Sequence, residues 1–176
     1  MRLFVAVNLS DDTRSRLTSM LKDLRSYSVS GKYVTPENLH MTLVFLGEHK
    51  PRDIAPNSLL CGILDSVSFK PFDMSIDKVG SFRRDGGDIW WAGVYKSKAL
   101  EDLQRDITEK LTEAGLKTEK RDYIPHITLA RKVVADINPW KIQPFTERVS
   151  NIVLMKSERV FSKVTYTTVY TAKGGV

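Results

Sequence analysis

Two histidines, His40 and His126, each stand two residues before a threonine in short words of one pattern, His40-Met41-Thr42-Leu43 and His126-Ile127-Thr128-Leu129. In an extended strand successive side chains alternate faces, so the His and Thr of each word share one side while Met41, Leu43, Ile127 and Leu129 turn toward a core. Each word therefore offers one imidazole beside one hydroxyl. Facing each other, two such pairs supply an acid, a base and two neutral donors around a small anion, which suits phosphoryl chemistry without a metal. The chain has only 3 His, and two of them falling in such words is an accident expected about once in 10³. A single histidine of this kind is more often a strand residue whose ring bonds nearby backbone, so the repetition carries the reading. The third, His49, lies in the polar turn Glu48-His49-Lys50-Pro51 and reads as a solvated surface residue.

Composition narrows the classes. A length of 176 residues with 41% hydrophobic content suits one domain, or two small lobes sharing a core, and excludes disordered and fibrous classes. No apolar run reaches the length of a membrane span, and the start, Met1 to Asn8, is too short for a signal peptide and reads as a strand, so a cytoplasmic protein without membrane association is expected. Cys61 sits in the apolar run Leu59 to Leu64, which points to burial before catalysis. With histidines sparse and one cysteine, a structural zinc site is not expected. A net charge of +6 favours polyanionic partners but does not identify one.

The elements that must position the two words repeat as well. Sliding the sequence by 86, the distance from 40 to 126, lays Arg2 to Asn8 over Asp88 to Val94 and Thr13 to Tyr27 over Ala99 to Glu113. The first pair reads as strands. The second reads as helices, with apolar stripes Leu17, Leu21, Leu24 and Leu103, Ile107, Leu111 and with Ser10 or Asp12 and Ser97 as N-caps. Each half is then strand, helix, short strand, motif strand, with pseudo-repeat halves at approximately 1–50 and 88–135. Duplication and a shared supersecondary preference both explain this pattern. Arg52 to Ser68 is expected to be a helix with an irregular first turn at Pro56. Phe72 to Phe82 and Ile89 to Tyr95 read as strands joined across the Asp85-Gly86-Gly87 hairpin, and Ile152 to Met155 and Thr165 to Ala172 as further strands. Val133 to Pro144, with two prolines and no clear period, reads as a loop flanking the site. The expected architecture is a single bilobal α+β domain over residues 1–176, with antiparallel or mixed sheets, helices outside and the motif strands lining a central cleft.

The paired His-x-Thr words resemble the 2H phosphoesterase superfamily. More narrowly, Met1 to Val7, Pro36 to Leu43 with Phe45-Leu46-Gly47-Glu48, and Pro125 to Arg131 look like its RNA 2',3'-cyclic phosphodiesterase branch, also called 2'-5' RNA ligase. Tyr33 stands where that family commonly has Trp. The resemblance implies a bilobal LigT-like fold with a basic cleft. It also implies metal- and cofactor-independent hydrolysis of an RNA or nucleoside 2',3'-cyclic phosphate to a 2'-phosphomonoester. It makes His40 the proton donor to the leaving 3' oxygen and His126 the proton acceptor that activates water, with Thr42 and Thr128 on the nonbridging oxygens. From the residues alone, the swapped roles are equally reasonable.

Other anion and base contacts follow less directly. Strict alternation puts Arg131 on the face opposite Thr128 unless the strand bends or ends there, while its match to the family sets substrate binding level with a surface or interlobe salt bridge. Tyr123, Trp90 and Trp91 are candidates for stacking a base, although aromatics in strands are usually core. Arg83 and Arg84 read as a solvated hairpin tip, and Glu37 and Asn38 as organisers of the turn before the first word. Expected partners are RNA ends or small cyclic nucleotides, with no obligate protein partner and a monomeric state. Two alternatives stand beside hydrolysis: a non-catalytic nucleotide- or RNA-binding module of the same fold, and 2'-5' RNA ligation as the reverse activity. A metal-dependent hydrolase would need carboxylates near both histidines, and only Glu37 lies within three residues of either.

Overall fold

The computed structural model describes residues 1–118, 122–161 and 163–173. Among the described residues, nine strands and three α-helices follow in the order β1 (Arg2–Val7), α1 (Asp11–Ser26), β2 (Ser28–Tyr33), β3 (Met41–Glu48), α2 (Leu59–Asp65), β4 (Phe72–Phe82), β5 (Asp88–Val94), α3 (Lys98–Glu113), β6 (His126–Ala135), β7 (Trp140–Val149), β8 (Asn151–Val160) and β9 (Lys163–Lys173). The helices begin where sequence chemistry puts them. Ser10 and Ser97 accept from the backbone N–H three residues on, Asp11 and Asp12 occupy the first turn of α1, and Arg25 occupies its last.

The sheet runs β7-β4-β5-β6-β3-β1-β8-β9, with β2 paired to the far end of β6. Among the described residues every ladder is antiparallel, so of the two expected sheet types these strands form the antiparallel one. Two half-sheets, β7-β4-β5-β6 and β3-β1-β8-β9, meet at one residue pair, Met41 with Ile127. The motif strands are therefore the seam of the molecule.

One face of this sheet is covered. Leu17 and Leu24 of α1 and Leu100, Ile107 and Leu111 of α3 are all buried against Leu3, Val5, Met41, Leu43, Ile127 and Leu129. Each such side chain contributes about 1.5–3 kcal/mol when fully removed from water. The other face, which carries the histidines and threonines, holds a separate small apolar cluster of Phe4, Ala6, Val153 and Met155 with Tyr166 packed against it.

Three expectations need correction. Residues 133–144 are not a loop: β6 continues to Ala135 and β7 starts at Trp140, pairing with β4. The prolines hid this strand, yet β7 is at the sheet edge, where a missing N–H is tolerated, and Pro144 falls in the register shift between Ile76 and Lys78. A buried Glu147 on β7 accepts from the Ser10 backbone N–H and hydroxyl at 3.0 and 2.8 Å, anchoring the strand to the start of α1. The expected helix over 52–68 is a 3-10 turn at Pro51–Ile54 followed by the short α2, with Asn57 at φ 63 between them. His49 is not solvated: its side chain is 12% exposed and its Nδ1 lies 3.1 Å from Asp53 Oδ2. Cys61 is buried, as its apolar run suggested.

Candidate active site

The seam places the four motif side chains together. Met41 pairs antiparallel with Ile127, and both are buried in the core. Extending that register one residue in each direction sets His40 across from Thr128 and Thr42 across from His126, all on the opposite face. In a regular pair, facing Cβ atoms are about 5 Å apart and diagonal ones about 7–8 Å, so the two imidazoles stand on the diagonal of a square the size of a phosphate group. Among the described residues, neither threonine hydroxyl is taken by another group.

Both rings are held in the same way. His40 Nδ1 lies 2.7 Å from the Asn38 carbonyl oxygen, and His126 Nδ1 lies 2.7 Å from the Ile124 carbonyl oxygen. A carbonyl only accepts, so each Nδ1 carries a proton and the basic nitrogen of each ring is Nε2. Aromatic rings wall each imidazole. Phe4 and Tyr166 lie 4.8 Å from His40, centroid to centroid. Phe82 stands edge-on to His126 at 5.3 Å, and Trp91 lies at 6.3 Å. Burial pushes the His40 imidazole down to about 4; the Asn38 carbonyl opposes this, and the charges of Arg131, Arg14 and His126 lower it further. His40 is thus neutral in the free protein at pH 7.

The position of Arg131 follows from a bulge. On β6, Thr128 pairs with Trp91 and Ala130 with Trp90, so Leu129 is an extra residue with no counterpart on β5. The added residue reverses the alternation: Leu129 and Ala130 are both buried, and Arg131 returns to the face of His126 and Thr128. The first motif does the same. Ala6 pairs with Thr42 and Val5 with Val44, which leaves Leu43 as the extra residue and brings Phe45 to the site face, 6.1 Å from Phe4. Matched bulges therefore present a cation on one wall and an exposed phenyl ring on the other.

Several supporting residues are far away in sequence. Arg14 donates to the carbonyls of Leu9, Pro36 and Leu39 at 3.2, 2.7 and 3.0 Å, bracing the turn that delivers His40. Asn38 does organise that turn: its amide donates to Val164 O and its Oδ1 accepts from Tyr166 N, pinning β9 and the Tyr166 ring over His40. Tyr123 packs against the core, and its hydroxyl is 3.4 Å from Thr42 O; burial pushes this phenol up from its usual range. Of the two tryptophans, Trp90 belongs to the core beside Trp140, whereas Trp91 lies on the site face. Arg83 pairs with Asp88 at the exposed hairpin, and Arg84 stacks over Phe82, 6.0 Å from its centroid. Among the described residues, no group of three His, Cys, Asp or Glu side chains is gathered to hold a metal ion, and no helix is long and apolar enough to cross a membrane.

Comparison with known proteins agrees with this geometry. Residues 4–160 match the model of the 2'-5' RNA ligase superfamily. An RNA 2',3'-cyclic phosphodiesterase of Archaeoglobus fulgidus is 40% identical over 133 residues, 74% of this chain and 72% of that protein. A protein of the same name from Methanothermobacter thermautotrophicus is 30% identical over 173 residues, covering 89% of this chain and 90% of its own. The crystal structure of Escherichia coli LigT in its apo form superposes with a TM-score of 0.82 at 22% identity, covering 98% of this chain and 96% of that one. LigT complexed with 3'-AMP gives a TM-score of 0.81 at 22% identity, covering 98% and 97%.

Proposed function

This chain belongs to the 2'-5' RNA ligase superfamily, and from that premise we propose that it hydrolyses 2',3'-cyclic phosphates of RNA ends or small nucleotides to 2'-phosphomonoesters, by acid and base catalysis from two histidines and without a metal. The observation that carries the reading is the paired tether: two imidazoles beside the Met41–Ile127 seam, each fixed through Nδ1 to the carbonyl two residues earlier. Opening the cyclic ester forms a bond from water to phosphorus and breaks the bond to O3', roughly in line. His126 Nε2 takes the proton from water on one side. His40 Nε2 gives a proton to O3' on the other.

The remaining groups serve the charge. Thr42 and Thr128 hydroxyls donate to the nonbridging oxygens, and Arg131 offsets the negative charge that grows there. Because His40 is neutral when the site is empty, its proton must come with the substrate. The anionic ester favours the imidazolium beside it and draws that proton in. Tyr123 enters as a positioning residue that braces the Thr42 strand. Matched tethers, bulges and strand–helix order also support reading the halves near 1–50 and 88–135 as a structural repeat within one two-lobed domain. Since one chain supplies every group, a monomer in the cytoplasm suffices for the reaction.

The test is incubation of chelator-treated protein with an oligoribonucleotide ending in a 2',3'-cyclic phosphate, with the 2'- and 3'-phosphate products resolved, beside His40→Ala and His126→Ala. The expected result is 2'-phosphate from the native protein and near loss in each variant. Tight nucleotide binding with no turnover would overturn the reading in favour of a binding module.

A further inference from the structure

The face beside His126 continues past the catalytic square. Strand pairing sets His126 beside Gly93, Gly93 beside Lys78, and Lys78 beside Lys141, a row across β6, β5, β4 and β7. With strands about 4.8 Å apart, the row extends about 14 Å from the histidine. Next to it runs Thr128, Trp91 and Gly80.

Two glycines let the Trp91 indole lie flat on this face. A Cβ on Gly80 would fall 2.3 Å from Trp91 Cη2, and one on Gly93 would fall 3.0 Å from Cζ3. The Lys78 stem passes over Gly93 in the same way, its Cγ 2.7 Å from where a Cβ would be. Lys78, Gly80, Trp91, Pro139, Trp140 and Lys141 line an open groove of about 290 Å³. Both lysines are exposed, and among the described residues neither makes an ion pair. The groove thus combines an aromatic surface with two uncommitted cations, the combination on which single-stranded nucleic acid stacks a base and rests a phosphate.

We propose that this groove is a second nucleotide subsite, which holds the 5'-hydroxyl nucleoside of an incoming RNA strand, its base on Trp91 and its 3'-phosphodiester at Lys78 and Lys141. The assignment rests on the proposed roles of the histidines. In an in-line displacement the nucleophile enters opposite O3', hence on the His126 side, and the groove lies on that side. The 5'-oxygen then takes the place of water: it bonds to phosphorus, its proton passes to His126 Nε2, the P–O3' bond breaks, and O3' receives the proton of His40. The product is a 2',5'-phosphodiester, and atoms and protons balance without a further reactant. The subsite raises the effective concentration of that hydroxyl against water.

The test supplies a cyclic-phosphate-ended donor with excess 5'-hydroxyl oligoribonucleotide and measures the ratio of joined to hydrolysed product. Trp91→Ala and the double variant Lys78→Ala, Lys141→Ala are each expected to lower that ratio roughly ten- to a hundredfold, with partial recovery in the double lysine-to-arginine variant. An unchanged ratio, or no joined product from native protein that still hydrolyses, overturns the subsite alone. A ratio that holds while the KM for oligonucleotide hydrolysis rises relative to a cyclic mononucleotide assigns the groove to the donor strand and also overturns it. Failure of native protein to hydrolyse the donor defeats the reading on which the subsite rests.

Discussion

His40 should titrate far below the usual imidazole range. Burial lowers it from 6.5 to about 4, and at 1.36 kcal/mol per pH unit that difference costs the protonated form about 3 kcal/mol in the folded state. The folded value lies below the unfolded one, so acid binds preferentially to the unfolded chain. Stability is complete above about pH 6.5 and falls as pH drops through the window down to 4. With only 3 His, the ring proton signals can be followed by NMR from about pH 3 to 8 and assigned with His40→Gln. One resonance is expected to titrate near 4 and to move upward when inorganic phosphate is added, because an anion in the square favours the imidazolium. The same variant is expected to flatten the loss of denaturant midpoint between pH 6.5 and 4. A His40 that titrates near 6.5, or that phosphate leaves in place, would refute the picture of a buried, neutral ring that gains its proton with the substrate.

Further outcomes follow from the same geometry. Thr42→Ala and Thr128→Ala are each expected to lower kcat about 10- to 10³-fold in a cyclic-phosphate assay, as loss of one charge-stabilising donor does. Asn38→Ala removes two hydrogen bonds that hold β9 over His40, so about 1–3 kcal/mol of stability is expected to be lost in denaturant melts. Activity should fall with it, and the His40 titration should move toward 6.5 as Tyr166 loosens. Gly80→Ala is expected to displace the Trp91 indole, visible as a changed tryptophan emission, because the new methyl would overlap that ring.

Much of this was readable in the chain because it is local. The motif residues, their buried partners Met41 and Ile127, the caps Ser10 and Ser97 and the apolar stripes of α1 and α3 all follow from short-range periodicity. Arg131 was not, since its face depends on one extra residue at Leu129, and a bulge leaves no mark in a strict two-residue period. The β7 strand was hidden by Pro139 and Pro144, which an edge position tolerates. Phe4, Tyr166, Phe82 and Arg14 reach the site through pairings distant in sequence, and nothing in their own neighbourhoods marks them.

The division of labour between the histidines is tested most directly by a substrate whose 3' leaving oxygen is replaced by sulfur, turned over by His40→Ala and His126→Ala in chelator. A thiolate leaves without being protonated, so His40→Ala is expected to recover most of the native rate on it while His126→Ala stays inactive. Recovery of His126→Ala instead would reverse the acid and base, and recovery of neither would contradict a mechanism built on proton transfer by these two rings.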